Sequence, residues 1–525
     1  MTPATDGPLH LPNRLLPARE PVVVTAPTEP APAGRLASAR VVVALVLLGV
    51  ALRVVPMTQG RDLWIDEAML GLNLVERSPR QLLEPLDWDQ GAPVGFLLAV
   101  KATMSAFGSS EWAMRLFPFA GSILGLIGFA WLARRMLPPA AATLALTLFV
   151  IAPHLISYAA ECKQYATDAA LTIGMFAAGI GLLYGEGGKR RWAVLATVGA
   201  LAVWFSHPVA FVLGGVGGAL FLDAAVRKDR ERVVACLATI GCWLTSFGVC
   251  YLLFLRQLEN NQFLLDYWAG HFLPLPPKEL GDVAWLLDHF FGPIGYPGGL
   301  GGTEIRAGGI AAVLFLVGLA GFWRERWPVA VALVVPALLA LFASGLHKYP
   351  FAGRLLLFYV PLMLISVARG AWSVCAALRP TQPFAAAVLL GVLLAAPALE
   401  VYQQMRRPLR HEQLTDVLAD LRPRVQRGDQ VYVYYGAIPA WTFYTRDNPM
   451  PGVATLGDRH RELVTGFRDE LRKLSGHPRV WLVFSHRHEG EEPLIRAYAD
   501  GLGECREEIR HEGATAYRYD FSAAK

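Results

Sequence analysis

A series of long apolar segments constrains this chain more than any other feature. A helix that crosses a bilayer needs about 20 mostly apolar residues. Such runs occur near 41–57, 114–133, 139–157, 165–185, 192–206, 209–225, 233–255, 307–323, 328–345, 355–374 and 383–401. Charge is correspondingly scarce: 17% of the 525 residues are charged, against about 25% in an ordinary soluble protein. The expected fold class is a polytopic α-helical membrane protein with eleven spans. No basic patch interleaved with aromatics argues for nucleic acid as partner.

A further apolar stretch, "VGFLLAVKATMSAF" (94–107), is short and carries Lys101 at its centre. It reads as a juxtamembrane or re-entrant helix. Charge bookkeeping supports that choice, because cytoplasmic loops carry the excess of Lys and Arg. With eleven spans and a cytoplasmic N-terminus, five short basic turns all fall inside: "ARR" (133–135), "GKRR" (188–191), "RKDRER" (227–232), "RER" (324–326) and "LRP" (378–380). The same topology places the loops 58–113, 158–164 and 256–306 outside, with "HKYPFAGR" (347–354) and everything from about 404.

Three divisions follow. Residues 1–40, rich in Pro and without apolar periodicity, read as a disordered cytoplasmic tail. Residues 41–403 form the membrane domain. Residues 404–525 change character: "DQVYVYYG" (429–436), "RVWLVFSH" (479–486) and "ATAYRYDF" (514–521) are strand-like, and 460–476 is an amphipathic helix with a Gly stop. That alternation predicts a small extracytoplasmic α/β domain.

Ionisable groups near a bilayer are costly, so a cluster on one face is a functional candidate. "LWIDEAML" (63–70) brings Asp66 and Glu67, about 100° apart if it opens a helix. "SYAAECKQYATD" (157–168) brings Glu161, Lys163 and Tyr165. "HKYPFAGRLLLF" (347–358) brings Lys348 and Arg354, and "WFSHPVAF" (204–211) brings His207. Arg115 opens the second span from outside and either anchors it or pairs with an acid. The ordinary reading of each is a solvated helix end or a snorkelling anchor. Together, acids and cations at a lipid-facing surface suit a phosphate-linked lipid substrate. A carboxylate can take a proton from an attacking hydroxyl, and cations, or a metal held by the acids, can stabilise a leaving phosphate.

The order of three segments resembles a known family. "LWIDEAMLGLNL", then "GAPVGFLLAVKATMSAFGSSEWAMRLFPFAGSILG", then "APHLISYAAECKQYATDAAL" are similar to the membrane-embedded GT-C glycosyltransferases. The branch containing protein O-mannosyltransferases and lipid A aminoarabinose transferase is the closest in pattern, over roughly residues 41–400. The resemblance implies a GT-C fold and inverting transfer from a polyprenyl-phosphate-linked sugar to an acceptor hydroxyl. It implies Asp66 as general base, with Glu161, and Glu67 in support. It implies that 256–306 lies over the site, with Arg256, Tyr267, Trp268 and His271 as contacts. Arg115, Lys163, Tyr165, His207, Lys348 and Arg354 are the candidates for substrate and phosphate. No cofactor is required; a divalent Mg or Mn ion, if used, would sit on Asp66 and Glu161. The implied setting is a bacterial cytoplasmic membrane, with the site on its exterior side and a protein, lipid or glycan acceptor. Two departures stand out: "GAPVG" lacks the family's basic residue beside Pro93, and Lys163 replaces an Arg.

Rival readings are a lipid-linked glycan transporter or flippase, and a non-catalytic assembly subunit. Transporters often carry repeats and midplane charge, which this sequence lacks. In the C-terminal region "FSHRHEGEEP" (484–493) offers His486, His488 and Glu489, either as metal ligands or as a solvated loop opening a helix.

Overall fold

The computed structural model describes residues 32–259, 261–302, 304–407, 412–460 and 465–522. Helix α1 (Pro32–Thr58) begins inside the stretch expected to be disordered, and residues 1–31 lie outside the described residues. The chain continues through α2 (Ile65–Glu76), α3 (Val94–Phe107), α4 (Glu111–Met136), α5 (Pro139–Val150), α6 (Pro153–Ser157), α7 (Tyr165–Leu183), α8 (Lys189–Ala202), α9 (Val209–Val226) and α10 (Arg230–Cys250). Short α11 (Arg256–Glu259) and α12 (Gln262–Tyr267) and longer α13 (Leu280–Gly295) fill the large loop. Then come α14 (Gly308–Gly345), α15 (Val360–Leu378) and α16 (Pro383–Arg406).

Every expected apolar segment lies on a helix, but the count of spans differs from eleven. Among the described residues eight helices are long and apolar enough to cross a membrane, or nine if α5 and α6 form one span bent by 56°. The bend falls at Pro153, which lacks the N–H that would continue the helix. Helix α8 has 14 residues, about 21 Å at 1.5 Å per residue, short of a bilayer core of about 30 Å. Helix α14 has 38 residues and breaks at Arg326 (φ −159°, ψ 80°), with Pro328 just beyond. The two segments expected at 307–323 and 328–345 lie on either side of that kink. The chain is a multi-pass membrane protein.

Basic turns meet on one face of the bundle. The Arg135 and Arg326 guanidinium groups lie 4.8 and 4.6 Å from the Tyr184 ring centroid. Arg135 and Arg191 both pair with Glu186. Arg232 binds Asp223 at 3.1 Å and the Leu182 carbonyl at 2.9 Å. Four of the five basic turns are thereby drawn together.

The C-terminal region adds α17 (Leu414–Leu421), α18 (Ile438–Thr445), α19 (Thr465–Arg472) and α20 (Glu491–Asp500), around strands β1 (Gln430–Val433), β2 (Val453–Leu456), β3 (Val480–Ser485), β4 (Glu504–His511) and β5 (Ala514–Asp520). The sheet order is β2-β1-β3-β5-β4. Strands β2, β1 and β3 run parallel, and β3, β5 and β4 antiparallel. Central β3 is buried throughout. Edge strands β2 and β4 escaped the sequence reading: β2 is four exposed residues, and β4, "ECREEIRH", is mostly charged.

This domain is docked on the membrane domain through one shared apolar core, with Leu70, Met114, Trp441, Phe443 and Trp481 among its members. Polar bonds clamp the chain just before α2. Asp62 accepts from the Thr415 N–H and hydroxyl, both at 2.7 Å. The Leu63 N–H donates to the Tyr444 hydroxyl at 2.7 Å, and the Asp62 N–H to Gln413 at 3.2 Å. Thr415→Val removes one bond to a buried carboxylate and is expected to cost about 1–3 kcal/mol. A thermal-melting measurement reads this directly, and an unchanged melting temperature would contradict the clamp.

Candidate active site

Helix α2 starts straight after Trp64, with Asp66 and Glu67 in its first turn, where the helix dipole favours negative charge. The 100° between them sends the two carboxylates to different partners. Glu67 turns inward and is fully buried. Arg115 of α4 grips it with two bonds, Nε to Oε1 at 2.9 Å and Nη2 to Oε2 at 2.8 Å. The Cys162 N–H adds a bond to Oε1 at 2.7 Å. Arg115 also holds the carbonyls of Arg61 and Asp62, at 2.7 and 3.2 Å. Glu67, expected in support of Asp66, and Arg115, expected to anchor its span, pair with an acid or bind phosphate, are committed to each other and to the backbone.

Asp66 points the other way. It forms an ion pair with Arg354, and both side chains stay about one-fifth exposed. Arg354 comes from the 3-10 turn Gly353–Tyr359 leading into α15. Its guanidinium lies 5.0 Å from the Trp64 ring centroid and 5.7 Å from that of Tyr165. Two aromatic faces thus fix the cation over the carboxylate. Lys163 sits beside the pair and donates to the Gln90 side chain at 2.7 Å. Glu161 is buried alongside, and its Oε1 has no hydrogen-bond partner. The structure therefore gathers Asp66, Glu161, Lys163, Tyr165 and Arg354 in one place.

The two acids are tuned apart. Burial opposes ionisation of Asp66, but Lys163, Arg354 and His486 outweigh it and hold the carboxyl below its usual range. Burial, and then the neighbouring Glu67 carboxylate, push Glu161 up to about 7. Burial lowers the Lys163 ammonium. Such divergence between neighbouring acids is how a site separates a base from a hydrogen-bond donor.

His486 was expected as a metal ligand or a loop residue. It stands at the end of β3 with φ +47°, bonded to Glu412 at 2.6 Å, and close enough to Asp66 to bias its charge. His488 lies against Tyr435 and Glu489 is exposed. Among the described residues the group with metal-ligand spacing is instead Asp458, His460 and Glu470. At Asp66 and Glu161 the donor set does not fit a divalent ion: Arg61, Arg115, Lys163 and Arg354 already balance Asp66, Glu67 and Glu161.

The remaining candidates lie apart. Lys348 pairs with Glu259, which also accepts from Tyr251 at 2.5 Å, with Arg256 alongside. Burial pushes His207 down to about 4, so it carries no charge for a phosphate. In the loop 256–306, Tyr267 is exposed, the Trp268 and His271 rings are 5.4 Å apart, and the His271 carbonyl accepts from Phe351 at 3.0 Å. That last bond ties the loop to the segment carrying Arg354. Sequence reasoning missed Gln90, for which no signal exists, and the position of His486, which depends on domain docking.

No protein-family model matches this sequence, and no curated protein matches it. Solved structures do. ArnT from Cupriavidus metallidurans is similar in its apo state (TM-score 0.53, 15% identity, 93% of this chain and 99% of that one). It is similar also bound to undecaprenyl phosphate (TM-score 0.52, 14% identity, 93% and 98%). The oligosaccharyltransferase AglB from Archaeoglobus fulgidus, in complex with an inhibitory peptide and a dolichol-phosphate, is similar over 93% of this chain and 74% of its own (TM-score 0.53, 12% identity). At these identities the likeness establishes the fold. The chain has the GT-C fold, with a small sheet in its C-terminal region.

Proposed function

We propose that the protein is a glycosyltransferase that moves a sugar from a polyprenyl-phosphate donor to an acceptor hydroxyl, with inversion. The observation that carries this is the Asp66–Arg354 pair on its aromatic floor of Trp64 and Tyr165. A base and an anion-binding cation are held in contact, half-open, on a lipid-spanning scaffold. The lipids bound to the two fold neighbours, undecaprenyl phosphate and dolichol-phosphate, support a lipid-phosphate donor. The positive-inside rule reads the basic face as cytoplasmic, and this supports a site on the exterior side of a bacterial cytoplasmic membrane.

The pair suggests an order of events. Donor phosphate draws Arg354 and Lys163 onto itself, and this frees Asp66. Asp66 takes the acceptor proton as the acceptor oxygen bonds to the anomeric carbon. The bond from that carbon to the phosphate oxygen breaks, and its electrons leave with the polyprenyl phosphate. Glu161, protonated, donates a hydrogen bond to the departing phosphate. Guanidinium and ammonium donors act on the charge as it develops. Glu67 and Arg115 hold the chain in place and do not touch substrate.

Glu161 gives this reading a pH signature. Its protonated form is the competent one, so turnover should fall as pH rises through about 7. Asp66, held below its ordinary range, stays ionised across that window. Glu161→Gln keeps a donor that cannot titrate and should lose that limb. A pH–rate profile of the variant that still falls near 7 would contradict the assignment.

The function itself is tested with purified protein in lipid nanodiscs and a panel of polyprenyl-phosphate hexoses and pentoses. At least one donor should be split, with free polyprenyl phosphate as product. Recovery of every donor intact would favour a transporter of the same ligand.

A further inference from the structure

One face of α7 leads away from the reacting pair and carries groups that nothing above uses. Gln164, Asp168 and Thr172 are spaced i, i+4 and i+8, so they stack along one side of the helix. Ser206, in the link before α9, approaches Asp168. Glu161 stands at the head of the row. Thr172 and Ser206 are completely buried, and Asp168 and Glu161 are at most 6% exposed. Glu161 Oε1, Gln164 Oε1 and Thr172 Oγ1 lack a hydrogen-bond partner, and Asp168 and Ser206 have no partner but each other.

A single orphaned oxygen is an ordinary imperfection; three in one row, beside an acid and a hydroxyl that face only each other, are not. Each buried polar atom left unsatisfied is destabilising, and native structures keep such groups few. The helix dipole explains why an acid is tolerated in the first turn of α7. It does not explain why the Thr172 hydroxyl and the Gln164 amide oxygen around it are also unpartnered. A carboxyl inside a membrane domain marks a functional site by default.

The chemistry of the row selects its ligand. Beyond Glu161, which faces the phosphate, the orphaned atoms are oxygens, and the Gln164 amide oxygen, which can only accept, calls for a hydrogen-bond donor. A phosphate offers only acceptors and negative charge, so it belongs with Arg354, Lys163 and the protonated Glu161. Sugar hydroxyls are donors. Asp168 lies three residues, about 4.5 Å along the helix, from Tyr165, whose ring lies under Arg354.

We propose that Gln164, Asp168, Thr172 and Ser206 form the pocket for the sugar of the lipid-linked donor, binding its hydroxyls while Arg354 and Lys163 bind its phosphate. This rests on the glycosyl-donor reading above and sharpens it, because it fixes which way the donor lies. Asp168 and Ser206 then determine which sugar is accepted.

The test compares two ligands in nanodiscs holding the full chain: undecaprenyl phosphate alone, and a panel of undecaprenyl-phosphate hexoses and pentoses. At least one loaded lipid should bind wild type about tenfold more tightly than the bare lipid. Asp168→Asn and Ser206→Ala should each remove most of that excess and leave bare-lipid affinity unchanged. Thr172→Val is a third variant should Asp168→Asn fail to fold. The proposal is overturned if no loaded lipid binds better than the bare one, if the excess survives in the variants, or if bare-lipid affinity falls equally. Failure of the transferase reading looks different: loaded lipid would bind through the pocket and never be cleaved.

Discussion

Asp66→Asn should reduce sugar transfer by about 10²–10⁴-fold, the range over which a positioned general base contributes. The protein should still fold and insert. Asn has nearly the shape of Asp, and its amide oxygen can still accept from Arg354. The lost charge is a partly exposed one, whose pairing contributes little to stability. Arg354 keeps its two aromatic neighbours in the variant. Activity within a few-fold of wild type, at normal expression, would remove Asp66 from the base role.

Arg115→Ala should fail differently. It leaves the Glu67 carboxylate fully buried with the Cys162 N–H as its remaining hydrogen bond and Arg61 as its nearby charge. Breaking one side of a buried ion pair costs about 3–5 kcal/mol, a large share of the 5–15 kcal/mol that holds an ordinary domain together. The variant should be poorly expressed or melt far below wild type. Removing both charges, with Glu67→Gln and Arg115→Met together, should recover much of that stability, since replacing a buried pair is often nearly neutral. A stable Arg115→Ala protein that has lost only donor affinity would return Arg115 to the phosphate. The two neighbouring acids thus predict opposite phenotypes: loss of chemistry at Asp66 and loss of fold at the partner of Glu67.

Much of the architecture was legible because membrane helices announce themselves locally. Length and apolarity placed every membrane-length helix, and the structure then drew four of the five basic turns together around Tyr184, Glu186 and Asp223. The span count missed where local pattern stops deciding: at α8, too short, and at the Arg326 kink within α14. The site was half legible. Adjacent Asp66 and Glu67 are alike by residue type, and only the family resemblance separated them before their partners did. Arg115 lies 48 residues from Glu67, and Arg354 lies 288 from Asp66. Lys348 and Arg354 looked equivalent in one short segment, yet one reaches Glu259 and the other Asp66. Asp168 was in plain view, but a lone acid at a helix start carries no signal until the oxygens around it prove unpartnered.

The central claim is that Asp66 serves the acceptor and Arg354 serves the donor phosphate. Affinity for bare undecaprenyl phosphate, measured on wild type, Asp66→Asn and Arg354→Gln in nanodiscs, tests that division most directly. Arg354→Gln should bind the lipid at least about tenfold more weakly, whereas Asp66→Asn should bind it as tightly as wild type or more so, its guanidinium released from the carboxylate. Equal losses in both variants, or full binding by Arg354→Gln, would contradict the account.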